Sequence, residues 1–186
     1  NVLREYPASN TSIAARYGRT IGLYRAGKTL EALSILDKLL QDYPHDPFFL
    51  ELKGQLLFET GKVSEAAAYF RQALTHYPNA KNIPILLAQA LLEGLEKSNT
   101  QNLTEPIHLL KQAVVRSPDN IFAWRLLARA YGKDNQMDFM ALCLAEEAFL
   151  VKNLPLAKAQ AEKAKKSHNA VVVKRANDIL SQISLP

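Results

Sequence analysis

Landmark residues recur along this chain at an interval of 34 residues. The interval separates three matched pairs, Gly27 and Gly61, Ala32 and Ala66, and Pro44 and Pro78. The next step, from Pro78 to Pro118, is 40 residues, which is the same period with six residues inserted. A period of this length is typical of chains that stack copies of one small structural unit. The sequence therefore predicts a repeat architecture.

The stretch from Pro47 to Pro78 indicates what one unit looks like. Gly54 and Ala66 lack bulk where two antiparallel helices would touch, and bulky residues fill the space on either side, namely Leu57 and Phe70. Gly61 can adopt the left-handed conformation that ends a helix. Pro78 has no amide with which to continue the second helix. The unit is predicted to be a helical hairpin.

The period and this pattern of small and large residues resemble the tetratricopeptide repeat (TPR). In the fourth unit Trp124, Leu127, Ala128 and Tyr131 match the first-helix pattern of that repeat. The resemblance implies an all-α superhelix of about ten antiparallel helices in five pairs. The repeats are placed at 11–44, 47–78, 81–118 and 119–152, followed by a degenerate cap at 153–186, all in one domain.

Composition and charge exclude several classes of function. The longest apolar run, 83–92, is too short to span a membrane, and the single Cys143 cannot form an internal disulfide. The chain has a net charge of +5, and residues 152–175 alone, with seven basic residues and one acidic residue, carry +6. No aromatic residue interleaves with them to stack bases, so we expect a solvated helix face and no nucleic-acid partner.

No arrangement of residues suggests catalysis. No two of the histidines (His45, His76, His108 and His168) are spaced to form a metal site on one helix. Nucleophile, phosphate-loop and zinc-protease motifs do not occur in this sequence. We therefore expect this chain to have no enzymatic activity of its own and no cofactor or metal.

A binding surface is the remaining candidate for function. In TPR proteins the first helix of each pair lines the concave side, and the positions that face it in that family can be transferred to this chain. They predict a groove that binds a protein or an extended peptide through Tyr17, Tyr24, Phe48, Glu51, Gln55, Phe58, Gln89, Phe122, Arg125 and Arg129. The same rule gives Ile21, Asn82, Ile85 and Leu92. Aromatic anchors, amides and two arginines suit a peptide with aromatic side chains and a carboxylate; packing between repeats is the alternative for each aromatic residue.

Four runs carry a closer resemblance, namely Thr11–Tyr17 after Tyr6-Pro7, Glu51–Gln55, Leu87–Leu91 and Phe122–Arg125. Together they resemble the C-terminal TPR domain of bacterial periplasmic zinc metalloproteases of the His-Glu-x-x-His type, which act in outer-membrane assembly quality control. The resemblance implies a zinc-containing protease domain upstream of Asn1. None of that family's catalytic or zinc-binding residues can be transferred to this chain.

If the resemblance holds, the chain is a non-catalytic module of an exported, periplasmic enzyme. Its partners would be substrates, its own protease domain and the outer-membrane assembly machinery. The alternative is a stand-alone TPR adaptor, cytoplasmic or periplasmic, with no attached enzyme.

Overall fold

A computed structural model describes residues 5–98 and 102–184, and in that part of the chain ten α-helices and no strand occur. The helices are α1 Ile13–Arg25, α2 Thr29–Asp42, α3 Pro47–Glu59, α4 Val63–His76, α5 Ile83–Ser98, α6 Thr104–Arg116, α7 Ile121–Lys133, α8 Met137–Leu150, α9 Leu154–Ala164 and α10 Ala170–Ser184. The predicted all-α, TPR-like fold of ten helices is confirmed.

The helices form two compact units. Unit 1 extends through Leu91 and unit 2 begins at Leu92, so the division falls inside α5. In unit 1, α1 packs on α2 and α3 packs on α4; in unit 2, α8 packs on both α7 and α9, and α9 packs on α10. Each unit has its own apolar cluster, around Leu36 and Leu56 in unit 1 and around Ala161 and Ile179 in unit 2. That all repeats form one domain stays a prediction.

Helices α1, α3, α7 and α9 each begin with a side-chain cap. Asp46 accepts hydrogen bonds from the amides of Phe48 and Phe49 at 3.0 and 3.1 Å, and Pro47 occupies the first turn of α3. Ser12, Asn120 and Asn153 cap α1, α7 and α9 in the same way. Such caps satisfy amides that have no partner within the helix.

One turn geometry recurs between neighbouring helices. Gly27 and Gly61 have φ of 75° and 79°, and Asn135 and Lys152 have φ of 57° and 61°. In each turn the following amide donates to a carbonyl five residues back, as Lys62 does to Leu57 at 2.9 Å. This left-handed cap is the one predicted for Gly61. Lys152 joins α8 to α9, so α8 is connected to both neighbours by this turn.

A close contact holds the hairpin of α3 and α4 together. A Cβ added to Gly54 would lie 2.6 Å from Cε1 of Phe70, whose side chain is 1% exposed. The ring of Phe70 therefore lies directly on the backbone of α3. In the preceding repeat the equivalent positions hold Thr20 and Leu36, both fully buried. The two facing side chains there differ less in size than Gly54 and Phe70 do.

We expect Gly54→Ala to lower the free energy of unfolding by roughly 1–3 kcal/mol, because the buried ring of Phe70 must shift to admit a methyl group. The cost should fall in a Phe70→Leu background, where the shorter side chain leaves room. Urea denaturation of the four proteins of this double-mutant cycle measures the coupling. If Gly54→Ala lowered the free energy of unfolding equally with and without Phe70→Leu, the result would contradict a contact between these two residues.

The recurring turn predicts opposite effects of two substitutions. Gly27→Ala should lower the free energy of unfolding by roughly 1 kcal/mol through backbone strain alone, since the added methyl meets nothing within 4 Å. Lys152→Gly should raise it by roughly the same amount. Lys152→Ala is the control, because it also removes the Lys152 ammonium from the ring of Phe149, 5.6 Å away, but keeps the strain. A destabilising Lys152→Gly would refute this account of the turn.

Candidate interaction surface

The first helices of unit 1 present a row of aromatic and polar side chains, here called the unit 1 face. It consists of Tyr17 and Tyr24 on α1, Glu51, Gln55 and Phe58 on α3, and Gln89 on α5, all half-buried. All six were predicted as binding residues. Partial burial fits either binding or packing, so their role stays a prediction.

The two tyrosines pack on the core and also carry polar contacts. Tyr17 and Tyr24 lie against the apolar cluster of unit 1, and the ring of Tyr17 is 5.3 Å from that of Phe49, centroid to centroid. The hydroxyl of Tyr24 donates to the carboxylate of Glu59. Burial, followed by this hydrogen bond, raises the pKa of Tyr24 to about 12. The phenol is therefore a neutral donor near pH 7.

The carboxylate of Glu51 is half-buried on the same face. Its Oε1 accepts a hydrogen bond from Nε2 of Gln55 at 3.3 Å, and burial raises the pKa of Glu51 above its usual value. The pKa of Tyr17 is raised as well, first by burial and then by the charges of Glu51 and Asp46. The phenol of Tyr17 thus lies within electrostatic range of two carboxylates.

Next to these side chains a cavity of about 250 Å³ opens between three helices. Its lining residues are Gln55, Phe58 and Glu59 of α3, Phe70 of α4, and Leu86 and Gln89 of α5. Apolar groups from Phe58, Phe70 and Leu86 line it together with amides and one carboxylate. Glu59, Phe70 and Leu86 were not predicted as site residues, because the rule considers only four positions in each first helix.

The predicted residue Phe48 lies at the start of α3 and is 58% exposed. Its ring centroid is 6.5 Å from that of Tyr77, which is itself 46% exposed and follows α4. The neighbouring turns also bring the rings of His45 and His76 to within 4.5 Å, centroid to centroid. The sequence separates those histidines by 31 positions, so their contact could be found only after the helices were stacked.

In unit 2 the two predicted arginines are paired with carboxylates of the same unit. Arg125 contacts Glu147 at 2.7 Å. Arg129 of α7 contacts Glu93 at 3.0 Å and Glu96 at 2.5 Å, both on α5. These pairs weaken the reason for expecting the arginines to bind a peptide carboxylate. Phe122, the third predicted residue in this unit, is 40% exposed, and the binding role of all three stays a prediction.

Two residues that the TPR rule placed in the groove are core residues. Ile85 is 5% exposed and Leu92 is fully buried, so the expectation that they face a ligand is wrong. Buried apolar residues occur at most positions between Ile83 and Leu92 of α5, so burial there is not confined to one face. Ile21 is half-buried against the core cluster and Asn82 is exposed ahead of α5.

The basic stretch at 152–175 is mostly a solvated surface. Its six lysines are exposed, whereas Arg175 donates from two nitrogens to Glu146, a carboxylate that is 3% exposed. The sequence did not predict this pair. Burial raises the pKa of the nearby Cys143 thiol, which favours the neutral, unreactive form near pH 7.

The described residues contain neither a metal-binding cluster nor a membrane-spanning helix. Within 5–98 and 102–184, no three His, Cys, Asp or Glu side chains group so that they could hold a metal ion. None of the helices described above is both long and apolar enough to cross a membrane.

Comparison with known proteins agrees with this architecture. Residues 20–81 match the sequence model of the tetratricopeptide repeat. This match covers about a third of the chain and lies within unit 1. Solved structures with a similar fold include MamA (residue 41 to the end) from Desulfovibrio magneticus RS-1, with a TM-score of 0.70, 19% identity and coverage of 95% of each chain. A thermophilic TPR protein from Thermus thermophilus aligns with a TM-score of 0.57 and 18% identity, over 91% of this chain and 100% of its own.

Two curated proteins resemble the sequence. The beta-barrel assembly-enhancing protease of Yersinia pestis is 28% identical over 138 residues, which cover 74% of this chain and 27% of the protease. Superkiller complex protein 3 of Mus musculus is 28% identical over 130 residues, 67% of this chain and 8% of that protein. The chain thus spans only a small part of either relative.

The contacts of Arg129 predict a pH-dependent contribution to stability. Hydrogen bonds from Arg129 and Lys133 lower the pKa of Glu96 to about 2, below the value of about 4.3 expected in an unfolded chain. This contribution is fully present above the unfolded pKa and is lost as pH falls toward 2. Arg129→Met should therefore lower the urea midpoint at pH 6, and the difference from wild type should shrink below pH 4.

Arg125→Met is the matched control, because Arg125 is 61% exposed and makes one ion pair; exposed pairs contribute little. It should change the midpoint less than Arg129→Met at every pH. A difference for Arg129→Met that stays constant between pH 6 and pH 2.5 would contradict the role of the Glu96 carboxylate.

Proposed function

We propose that this chain is a non-catalytic protein-interaction module that binds an extended peptide segment along the unit 1 face. The cavity beside Gln55 and Gln89 is the observation that supports this function most directly. Primary amides donate and accept hydrogen bonds, as the main chain of an extended peptide requires. The apolar lining beneath them, including Phe70 and Leu86, suits one apolar side chain of that peptide.

The size of the cavity favours a peptide side chain over a small molecule. At about 250 Å³ it is smaller than the sites of roughly 300–1,000 Å³ that usually enclose small ligands. Extended peptides are held by several shallow contacts along a surface, and the neighbouring residues Tyr17, Tyr24 and Glu51 would supply them.

The parent protein in this proposal is an exported zinc metalloprotease, with the module on the C-terminal side of its catalytic domain. The similarity to the beta-barrel assembly-enhancing protease of Yersinia pestis supports it. In this setting the protein is periplasmic, zinc belongs to the protease domain, and the module recruits substrates or outer-membrane assembly partners. An in-frame His-Glu-x-x-His motif and an export signal encoded upstream of Asn1 are the expected findings.

A stand-alone adaptor is the second candidate. The solved MamA and Thermus structures support it, since this fold spans 95% and 100% of those solved chains. The mouse protein is 28% identical to this chain, the same value as the Yersinia protease. Sequences of this kind therefore occur outside proteases. A coding sequence that lacks the protease motif would favour this candidate.

A peptide-display library tests the binding surface directly. Selection on the wild-type chain should enrich peptides that share an apolar residue. Gln89→Phe should fill the cavity and weaken the binding of those peptides by about tenfold or more. The peptide would lose its buried apolar anchor, and such a loss typically costs over about 1 kcal/mol of binding free energy. Calorimetric titration of synthetic copies of the enriched peptides measures the change.

Gln72→Phe is the matched control, since Gln72 is exposed on α4 of the same unit. It adds the same ring outside the cavity and should leave affinity unchanged. Failure to enrich any peptide, or an equal loss in both variants, would contradict the proposed surface.

A further inference from the structure

The unit 1 face contains a carboxylate that no cation of the described residues neutralises. Glu51 is half-buried, and it accepts the long hydrogen bond from Gln55. No ion pair joins Glu51 to a basic side chain within residues 5–98 and 102–184. Burying a charge is unfavourable unless an opposite charge or hydrogen-bond donors compensate for it. Glu51 is therefore suited to receive a cation from outside the chain.

Three of the four basic side chains of α1 and α3 are engaged elsewhere. Arg16 pairs with Asp42 at 2.7 Å, and Lys53 pairs with Asp37. Arg19 donates to the backbone carbonyls of Pro7 and Asn10 at 2.7 and 3.0 Å. Arg25 is exposed at the last turn of α1, eight positions beyond Tyr17. None of these four forms an ion pair with Glu51.

Other groups around Glu51 add to its negative potential. Asp46 and Glu51 both act on the phenol of Tyr17, and Glu59 lines the adjacent cavity. The stretch of α5 that belongs to unit 1, residues 83–91, contains no charged residue. A carboxylate beside an aromatic ring is a site that Lys and Arg side chains occupy favourably, through an ion pair and contact with the ring.

The spacing of the two subsites defines a short motif. Gln55 at the cavity is one helical turn after Glu51, and one turn advances about 5.4 Å. Two residues of an extended peptide advance about 6.6 Å, and alternate side chains point to the same side. A peptide that lies along α3 can therefore place side chains two positions apart at the two subsites.

We propose that the unit 1 face selects an extended peptide in which a Lys or Arg lies two positions from an apolar residue. The cation pairs with Glu51 beside Tyr17, and the apolar side chain enters the cavity beside Gln55 and Gln89. This inference rests on the proposed peptide-binding function and adds its charge preference. It reverses the expectation from the sequence of a carboxylate recognised by arginines.

The display library provides the test when the selection is repeated on charge variants. Wild type should enrich Lys or Arg two positions from the apolar residue, and Glu51→Gln should lose that enrichment. Glu65→Gln is the matched control, because it removes the same charge from an exposed residue of α4 that pairs with Lys62. It should keep the preference.

A thermodynamic cycle then locates the contact. Replacing the cation of an enriched peptide by norleucine should weaken binding to wild type by about tenfold, as expected for a charge-assisted pair, and weaken binding to Glu51→Gln by about twofold at most. Glu51→Gln should also be at least as stable as wild type at pH 7. The raised pKa of Glu51 shows that folding disfavours its charge, so the loss of binding would not reflect unfolding.

The outcomes separate the two proposals. Peptides that bind at the cavity without a preference for Lys or Arg, or with a preference for Asp or Glu, overturn the charge inference and leave the peptide-binding function standing. Equal effects of Glu51→Gln and Glu65→Gln also overturn it. If no peptide is enriched on wild type, the peptide-binding function fails and the inference fails with it.

Discussion

The contact between Gly54 and Phe70 sets how closely α3 and α4 can approach, and the shape of the adjacent cavity depends on it. The absent side chain at Gly54 lets the ring lie on the helix backbone. The same ring also lines the cavity that opens toward α5. One close-packed contact thus fixes the hairpin and shapes the candidate subsite. A change at this contact should alter both the hairpin and the cavity, because a densely packed interior has little free volume to absorb it.

Charges are distributed differently in the two units. In unit 2 buried or half-buried carboxylates meet arginines, as Glu146 meets Arg175 and Glu93 meets Arg129. These pairs tie helices to each other, since each partner lies on a different helix. In unit 1 the half-buried Glu51 accepts a hydrogen bond from the amide of Gln55 and forms no ion pair within the described part of the chain. The carboxylates of unit 2 named above thus pair with cations between helices, whereas the hydrogen bond to Glu51 comes from a neutral amide.

The candidate surface was only partly predictable from the sequence. The repeat rule identified Gln55, Phe58 and Gln89, which the structure brings together at one cavity. It missed Glu59 and Leu86, because side chains outside the four standard positions line the cavity as well. It also placed Ile85 and Leu92 at a surface, although they are buried. A fixed rule cannot account for how many neighbours a particular helix packs against.

The sequence by itself determined the helices. The signals that define them act locally, over a few residues or one hairpin. They are capping residues such as Asp46, the left-handed Gly27 and Gly61, and the 34-residue period. Their effect can therefore be predicted without knowing the tertiary structure. Only the tertiary structure decided the pairing of charges. Arg129 meets Glu93 across 36 positions and Arg175 meets Glu146 across 29, and sequence spacing alone does not encode such distances. Whether a charged side chain is neutralised or left available is therefore a property of helix packing.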